Sequence, residues 1–288
     1  MPPRFTKFHG FGNDYIVIEA SEVAEVSRLG EFARRICNRH YGAGADGIAL
    51  VSRSESPSAD FDVRIFNPDG SEASLSGNGT RCAAAYLYYK KLWSSDELRL
   101  STRAGIKRYT LREDDGKGRY VFDSELGQPK FDAASIPMIT QEPMDKVVDY
   151  QLDFDDDSVK VTALQMGNPN CCIFVKDFDE LDWRRIGRSL ENHERFPDRT
   201  NVVFVRVQDR QTIELRIWER GVGETMASGT CSCAAAVAAI IKGETERAVN
   251  VLMPGGNAKI HWRDSDGEVV ITGSAEVIYG GDWLADTG

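Results

Sequence analysis

Residues 64–85 read RIFNPDGSEASLSGNGTRCAAA, and residues 216–237 read RIWERGVGETMASGTCSCAAAV. The second stretch repeats the first at one constant offset. The clearest matches are Arg64-Ile65 with Arg216-Ile217, Glu72 with Glu224, Ser76-Gly77 with Ser228-Gly229, and Ala83-Ala84 with Ala235-Ala236. At nearly the same offset, Gly12-Asn13 matches Gly167-Asn168 and residues 46–51 match residues 200–205. A collinear repeat with small drift predicts two diverged halves of one fold.

Each half contains short apolar or alternating runs bounded by Gly, Asn, Asp and Pro, which are typical of β-strands. Each half also contains one helix, predicted over 80–92 (TRCAAAYLYYKKL) and 232–242 (SCAAAVAAIIK), that is apolar almost all the way round. Such a helix has to be buried. We therefore expect an α+β fold of two pseudo-symmetric domains, each a β-barrel-like sheet around a central buried helix. The predicted N-terminal half is 1–125, joined by the terminal segment 275–288, and the C-terminal half is 126–274.

Both predicted helices begin at a Ser-Gly-rich turn. The first turn of a helix has backbone N–H groups without intrahelical partners and carries partial positive charge, so it binds anions readily. The alternative is that Ser76 and Ser228 only cap their helices. Because the same turn starts both helices, we predict a ligand site in a cleft between the halves, with the two serines facing each other across it.

The composition narrows the class of partner. The chain has 288 residues and a formal net charge of −10, which disfavours nucleic acid and anionic membranes. No apolar run approaches the ~20 residues of a membrane span, and without an obvious leader we expect a cytoplasmic protein. The six cysteines fit neither a zinc ribbon nor a disulfide scaffold, and no cofactor motif is present, so we expect reduced thiols, no metal and no cofactor.

The motifs resemble those of the diaminopimelate epimerase family. Its first signature is similar to Phe66-Asn67-Pro68-Asp69-Gly70-Ser71-Glu72 followed by Ser76-Gly77-Asn78-Gly79-Thr80-Arg81-Cys82, and its second to Glu219-Arg220-Gly221-Val222-Gly223-Glu224-Thr225 followed by Ala227-Ser228-Gly229-Thr230. Further matches in family order include His9-Gly10-Phe11-Gly12-Asn13-Asp14, Gly167-Asn168-Pro169 and Pro254-Gly255-Gly256. The resemblance spans nearly the whole chain and agrees with the repeat.

The resemblance implies a reaction and a set of site residues. In this family an amino acid is epimerised at its α-carbon without pyridoxal phosphate or metal, by two thiols on opposite faces. The substrate carboxylate lies against the two helix N-termini, where donors stabilise the developing charge. The implied catalytic positions are Ser76 and Ser228. The implied substrate-binding residues are Asn13, Asn67, Gly77, Asn78, Asn168, Asn201, Glu219, Arg220, Gly229 and Thr230. The implied partner is a small amino dicarboxylate, and a homodimer stays open.

The sequence departs from the family at the reacting centre. Ser76 and Ser228 stand where the family has its two cysteines, and Asn170 stands where the family has a histidine. A serine hydroxyl is a far weaker acid than a thiol and ordinarily needs an adjacent base, and the sequence shows none beside either serine. Three hypotheses stay open: a divergent epimerase with serines as acid and base, a dehydratase or isomerase with one-sided proton removal, and an inactive or binding-only protein.

Overall fold

The computed structural model describes residues 2–155, 157–179 and 181–285 of the chain. The chain forms two compact units. Unit 1 contains Met1–Ser124 and Gly273–Gly288, and unit 2 contains Glu125–Thr272.

Unit 1 is a closed ring of strands around one helix. Its strands are β1 (Arg4–Gly10), β2 (Asn13–Glu19), β3 (Gly47–Arg53), β4 (Phe61–Phe66), β5 (Glu72–Ala73), β6 (Glu97–Thr102), β7 (Gly105–Asp114), β8 (Arg119–Gly127) and the later part of β17 (Val269–Asp282). Its helices are α1 (Leu29–Ile36), α2 (Gly77–Tyr89) and a short 3-10 helix at Ala20–Val23. The ring runs β1-β2-β3-β4-β6-β7-β8-β17 and closes where β17 pairs with β1.

Helix α2 lies inside this ring, where it contacts β1, β2, β3, β4 and β6. Its middle is made of small residues, and Cys82, Ala83, Ala84 and Ala85 have no exposed surface. Small side chains let the strands approach the helix backbone closely, while Phe122 and Leu87 fill the remaining space. The close packing of α2 inside the ring therefore fixes the position of the first residues of this helix.

Unit 2 repeats this order of elements. Its strands are β9 (Val147–Phe154), β10 (Asp157–Gln165), β11 (Pro169–Phe174), β12 (Asn201–Asp209), β13 (Thr212–Glu219), β14 (Gly223–Thr225), β15 (Ala248–Met253), β16 (Gly256–Trp262) and the first part of β17. Its helices are α3 (Trp183–Glu191) and α4 (Gly229–Ile241). The sheet order is β9-β10-β11-β12-β13-β15-β16-β17, and α4 contacts β10, β11, β12, β13, β15 and β16.

The predicted α+β class, with a sheet around one buried helix in each half, is confirmed. The helix bounds were wrong by a few residues. Both helices begin directly after their serines rather than at residues 80 and 232, because the Gly-rich turn already has helical geometry. Helix α2 ends at Tyr89 because Lys91 adopts a φ of 57°, which a right-handed helix excludes. Within the described ranges, no helix combines the length and apolar character needed to cross a membrane.

Candidate functional site

The N-terminus of α2 presents open backbone donors. Ser76 is extended, and its Oγ accepts a hydrogen bond from the Gly79 N–H at 3.0 Å, as an N-cap does. Among the residues that the structure describes, the N–H groups of Gly77 and Asn78 have no acceptor. Burial raises the pKa of the Tyr15 phenol, and a hydrogen bond with Ser76 opposes that rise. In unit 1, the serine hydroxyl thus has a phenol and a backbone N–H as partners.

A chain of side-chain amides runs away from this turn. Arg81 Nη2 donates to Asn78 Oδ1 at 2.5 Å, and Asn78 Nδ2 donates to Asn13 Oδ1 at 3.1 Å. Asn13 Nδ2 in turn donates to Asp46 Oδ2 at 2.8 Å. Each amide is bonded at both its oxygen and its nitrogen, so the orientation of Asn13 and Asn78 is set by a cation at one end and an anion at the other.

The anionic end of the chain belongs to an ion cluster in which Lys7 and Asp14 are buried and Arg39 is exposed. Arg39 Nη2 lies 2.9 Å from Asp14 Oδ1 and 2.6 Å from Asp46 Oδ1, and Lys7 Nζ lies 2.7 Å from Asp14 Oδ2. Burial alone would raise the pKa of Asp14, but the hydrogen bonds from Arg39 and Lys7 lower it to about 2. The cluster joins the segment around Asp46 to the start of β2 and so holds Asn13 in place.

Asn67 has a local role in the structure. It follows β4, and its Nδ2 donates to Ser71 Oγ at 2.9 Å within the turn that leads to β5. Ser71 Oγ donates to Asp69 Oδ1 at 2.6 Å in the same turn. These bonds are turn chemistry, and the predicted contact of Asn67 with a substrate stays a prediction.

The N-terminus of α4 is arranged differently. Ser228 does not cap its helix, and its Oγ donates instead to Glu219 Oε2 at 3.1 Å. The other oxygen, Oε1, accepts from Thr225 Oγ1 at 2.7 Å. Burial raises the pKa of Glu219 above its ordinary value, although these two hydrogen bonds oppose the rise. The expectation that no base lies beside either serine is therefore wrong for Ser228.

Because Ser228 faces a carboxyl group, the first turn of α4 keeps its donors. In the described part of the chain, the N–H groups of Gly229, Thr230 and Cys231 have no acceptor, and the first backbone bond of the helix is from Ser232 N to Ser228 O at 3.0 Å. Three converging N–H groups and the helix dipole suit a carboxylate or an enolate oxygen.

A second amide chain lies behind this turn. The Arg220 N–H donates to Asn201 Oδ1 at 2.9 Å, and Asn201 Nδ2 donates to Asn170 Oδ1 at 3.1 Å. Asn170 Nδ2 donates to the main-chain oxygen of Asn168 at 2.7 Å and to its Oδ1 at 3.1 Å. Asn170 is fully buried and links two predicted binding residues. The side chain of Asn168 is thereby oriented with its oxygen inward, which leaves its NH2 group as the outward donor.

The guanidinium of Arg220 is exposed, and its Nη1 donates to the Asp198 main-chain oxygen at 2.9 Å. Within the described ranges it forms no ion pair with a carboxylate. A guanidinium held by one carbonyl retains donors for a carboxylate ligand, so the predicted role of Arg220 in binding stays a prediction.

The cysteines of the chain are unsuited to act as acids or bases near neutral pH. All six cysteines are buried. Burial raises the pKa of Cys82 to about 12, and it raises the pKa of Cys231 well above its ordinary value, with the Glu219 carboxylate adding to the effect. None of the six is a thiolate at neutral pH. In the described ranges, no group of three His, Cys, Asp or Glu side chains is arranged to hold a metal ion.

The assignment of the predicted residues to a site stays a prediction, but sequence reasoning gave no structural role to three residues that orient them. Arg81 and Asp46 end the amide chain of unit 1, and Asn170 joins the chain of unit 2. The repeat carried a signal for Glu219. At the shared offset its counterpart is Asn67, so the carboxyl group beside Ser228 has a neutral equivalent in the other half.

Comparison with known proteins agrees with the motifs. The family model described as diaminopimelate epimerase matches residues 5–131 and 162–278. The chain is 41% identical over 280 residues to the diaminopimelate epimerase of Pelotomaculum thermopropionicum, covering 97% of this chain and 98% of that relative. It is also 41% identical over 280 residues to the diaminopimelate epimerase of Desulforudis audaxviator, covering 97% and 99%.

Among solved structures, a phenazine biosynthesis protein of the PhzF family from Bacillus anthracis has the same fold. Its TM-score is 0.67 at 18% sequence identity, with 99% of this chain and 100% of that chain covered. At this identity the likeness shows the fold alone. The full-length sequence matches show more, and the chain belongs to the diaminopimelate epimerase family.

Proposed function

We propose that the protein is a pyridoxal-phosphate-independent epimerase that acts on the α-carbon of an amino dicarboxylic acid, with diaminopimelate as the substrate to test first. The full-length relatives named for this reaction support the reaction class. The observation that carries the mechanism is the hydrogen bond from Ser228 Oγ to Glu219 Oε2. A serine hydroxyl becomes an effective base when a neighbouring group accepts its proton, and Glu219 is such a group.

The proposed step transfers one proton through Ser228. The α-proton of the substrate passes to Ser228 Oγ while the hydroxyl proton of Ser228 passes to Glu219 Oε2. The electron pair of the broken C–H bond stays on the substrate as an enolate-type carbanion. Because burial raises the pKa of Glu219, its carboxylate is a stronger base than an exposed one, which favours the transfer.

The negative charge that develops needs fixed donors. The N–H groups of Gly229 and Thr230 in unit 2, and those of Gly77 and Asn78 in unit 1, have this character. Donors that are already oriented stabilise an oxyanion without reorganising during the reaction. The prediction that both helix N-termini serve one substrate, with Ser76 returning a proton to the opposite face, remains part of this proposal.

A second candidate is a reaction that needs proton removal on one side only, such as a dehydration or a double-bond shift. One observation favours it. In the described part of the chain, Ser76 has no carboxylate partner, and it accepts a hydrogen bond from the Gly79 N–H. A serine without a base is a poor acid and base near neutral pH. An enzyme with a strong acid–base pair only at Ser228 would exchange the α-proton faster than it inverts the carbon.

Incubation of the purified protein with LL-diaminopimelate and with meso-diaminopimelate in D2O tests both candidates. Mass spectrometry measures deuterium at the α-carbon, and chiral chromatography measures inversion. The epimerase proposal predicts exchange together with inversion in both directions. Exchange with retained configuration would support the one-sided candidate. A protein that binds the amino acid and exchanges no α-proton would contradict both and leave the binding-only hypothesis.

Cytoplasmic residence and lysine biosynthesis belong to the same proposal. Cell fractionation tests the location, and growth of a diaminopimelate-requiring bacterial strain tests the pathway role. Restored growth is the expected result. A homodimer stays open, and light scattering of the purified protein determines the oligomeric state.

A further inference from the structure

Arg81 is a buried cation that has no counter-ion among the described residues. It lies in α2, and only 2% of its surface is exposed. Its Nε donates to the Ser274 main-chain oxygen at 2.9 Å, and its Nη2 donates to Asn78 Oδ1 at 2.5 Å. Both acceptors are formally neutral. Within the described ranges, no Asp or Glu oxygen lies within ion-pair distance of its guanidinium.

Burying a charge without a partner is costly, and arginine cannot escape the cost by losing its proton. Desolvation lowers the pKa of Arg81, but the group starts so high that it stays charged at neutral pH. An arginine kept in such a place therefore indicates a use for the positive charge, because the packing alone would be served as well by an apolar side chain.

The surroundings are shaped to the guanidinium. A Cβ added at Gly10 would lie 2.5 Å from Arg81 Nη2, and one added at Gly273 would lie 3.4 Å from its Cζ. The ring of Phe11 covers the guanidinium, with its centroid 4.6 Å from Cζ, in a cation–π arrangement. Gly10, Gly273 and the ring of Phe11 thus form a compartment that fits the guanidinium group of Arg81.

The charge lies beside the open donors of α2. Asn78, whose side chain Arg81 holds, is the second residue of the helix, and its own N–H is one of the two without an acceptor. At the repeat offset, the counterpart of Arg81 in unit 2 is Cys233, which is buried and neutral. The cation is therefore specific to the N-terminus of α2.

We infer that Arg81 is a positioning residue that makes the N-terminus of α2 selective for an anionic carboxylate group over a neutral one. It acts through Asn78 and through its field rather than by touching the ligand. The inference rests on the proposed function, since it takes the amino dicarboxylate as the ligand. It predicts that the counter-charge missing from the protein is supplied by the carboxylate of the bound substrate.

Two variants separate the charge from the hydrogen bonds. Arg81→Gln keeps a neutral N–H donor and removes the charge. Arg81→Lys keeps the charge and loses the planar set of guanidinium N–H donors. Calorimetry measures the affinity for diaminopimelate and for its diamide, in which neutral amide groups replace both carboxylates. We expect Arg81→Gln to reduce the preference for the dicarboxylate by about tenfold or more, as the loss of a charge-assisted interaction does. Arg81→Lys should retain most of it.

Arg108→Gln is the control, because Arg108 is an exposed arginine of β7 in the same unit, and it should leave the preference unchanged. If Arg81→Gln keeps the full preference of the wild type, the inference is wrong. Should both Arg81 variants fail to fold by circular dichroism, Gly10→Ala replaces them. Its Cβ displaces the guanidinium without removing the charge, and we expect an intermediate loss of preference. An unchanged preference would overturn the inference.

The proposed function fails separately. α-Proton exchange by the wild type is measured in parallel with binding. A wild type that prefers the dicarboxylate but exchanges no proton contradicts the proposed reaction and supports the role of Arg81. A wild type that exchanges the proton but binds dicarboxylate and diamide equally contradicts the role of Arg81 alone, and one that binds neither contradicts both.

Discussion

The N-termini of α2 and α4 begin with the same Ser-Gly turn, yet their serines form opposite hydrogen bonds. Ser76 Oγ accepts from the Gly79 N–H, whereas Ser228 Oγ donates to the Glu219 carboxyl group. The two units also differ at two other repeat positions. Asn67 corresponds to Glu219, and Arg81 corresponds to Cys233. Unit 1 thus has a buried cation near its helix N-terminus, and unit 2 has a partly buried acid. A duplicated framework has kept its backbone donors while its ionisable groups diverged.

Replacing the two serines by cysteines is expected to have the largest effect, and the two replacements should differ in size. A thiol at a helix N-terminus ionises near neutral pH, so Ser76→Cys should raise the inversion rate of diaminopimelate by on the order of 100- to 10,000-fold. Ser228→Cys should change it by less than about tenfold, because Glu219 already provides a base there. Chiral chromatography measures both rates. Equal gains in inversion rate at the two positions would contradict the proposed chemical difference between the two helix N-termini.

The pH dependence of α-proton exchange should reveal the carboxyl group of unit 2. Glu219 must be ionised to accept a proton, and burial raises its pKa. The kcat/KM for exchange should therefore fall as the pH decreases, with a midpoint above the ordinary glutamate value of about 4.3. The same fall in kcat/KM for exchange at low pH should persist in the Ser76→Ala variant. A midpoint at or below the ordinary glutamate value would contradict this role of Glu219.

Asp14 offers a test of the charged amide chain in unit 1. Its pKa is lowered from 3.8 to about 2 by Arg39 and Lys7, against the opposing effect of burial. A lowered pKa stabilises the fold above the unfolded value, and the contribution disappears as the pH falls from about 4 to about 2. Asp14→Asn should cost about 2 kcal/mol in free energy of unfolding at pH 7.

Urea unfolding of Asp14→Asn at a series of pH values measures this contribution. Asp145→Asn is the control, since Asp145 is an exposed residue of unit 2. The difference between Asp14→Asn and the wild type should shrink as the pH decreases toward 2. A difference that is constant over this range would show that Asp14 stabilises the fold through its shape and not through its charge.

The neutral amide chain of unit 2 should behave differently. Asn170→Ala leaves Asn201 Nδ2 and the Asn168 oxygen without their buried partner, which costs about 1–3 kcal/mol. Because no member of this chain titrates, the loss should be the same at pH 5 and pH 8. Urea unfolding measures it, with Asn250→Ala as the exposed control in β15. A strongly pH-dependent loss would show that the second chain also depends on a charged group.

The fold was predictable from the sequence because short local patterns determine its helices and strands. The Ala-rich runs of α2 and α4 and the glycines before them indicate buried helices, and alternation predicts the strands around them. The hydrogen bond between Ser228 and Glu219 was not predictable in this way. Its two residues are separated by a turn and by β14, and the direction in which a serine hydroxyl points depends on the tertiary structure. The same holds for Arg81, which reads as an ordinary core position of a helix until its missing counter-ion is seen.

In the proposed mechanism, Glu219 accepts the hydroxyl proton of Ser228 while Ser228 Oγ takes the α-proton of the substrate. The most direct measurement compares deuterium incorporation at the α-carbon of diaminopimelate by the wild type, Glu219→Gln and Glu224→Gln. Glu224 is an exposed glutamate of the same hairpin, paired with Arg184. We predict that Glu219→Gln loses on the order of 100- to 10,000-fold in exchange rate, while Glu224→Gln stays within about twofold of the wild type. A folded Glu219→Gln variant that exchanges the α-proton as fast as the wild type would contradict this mechanism.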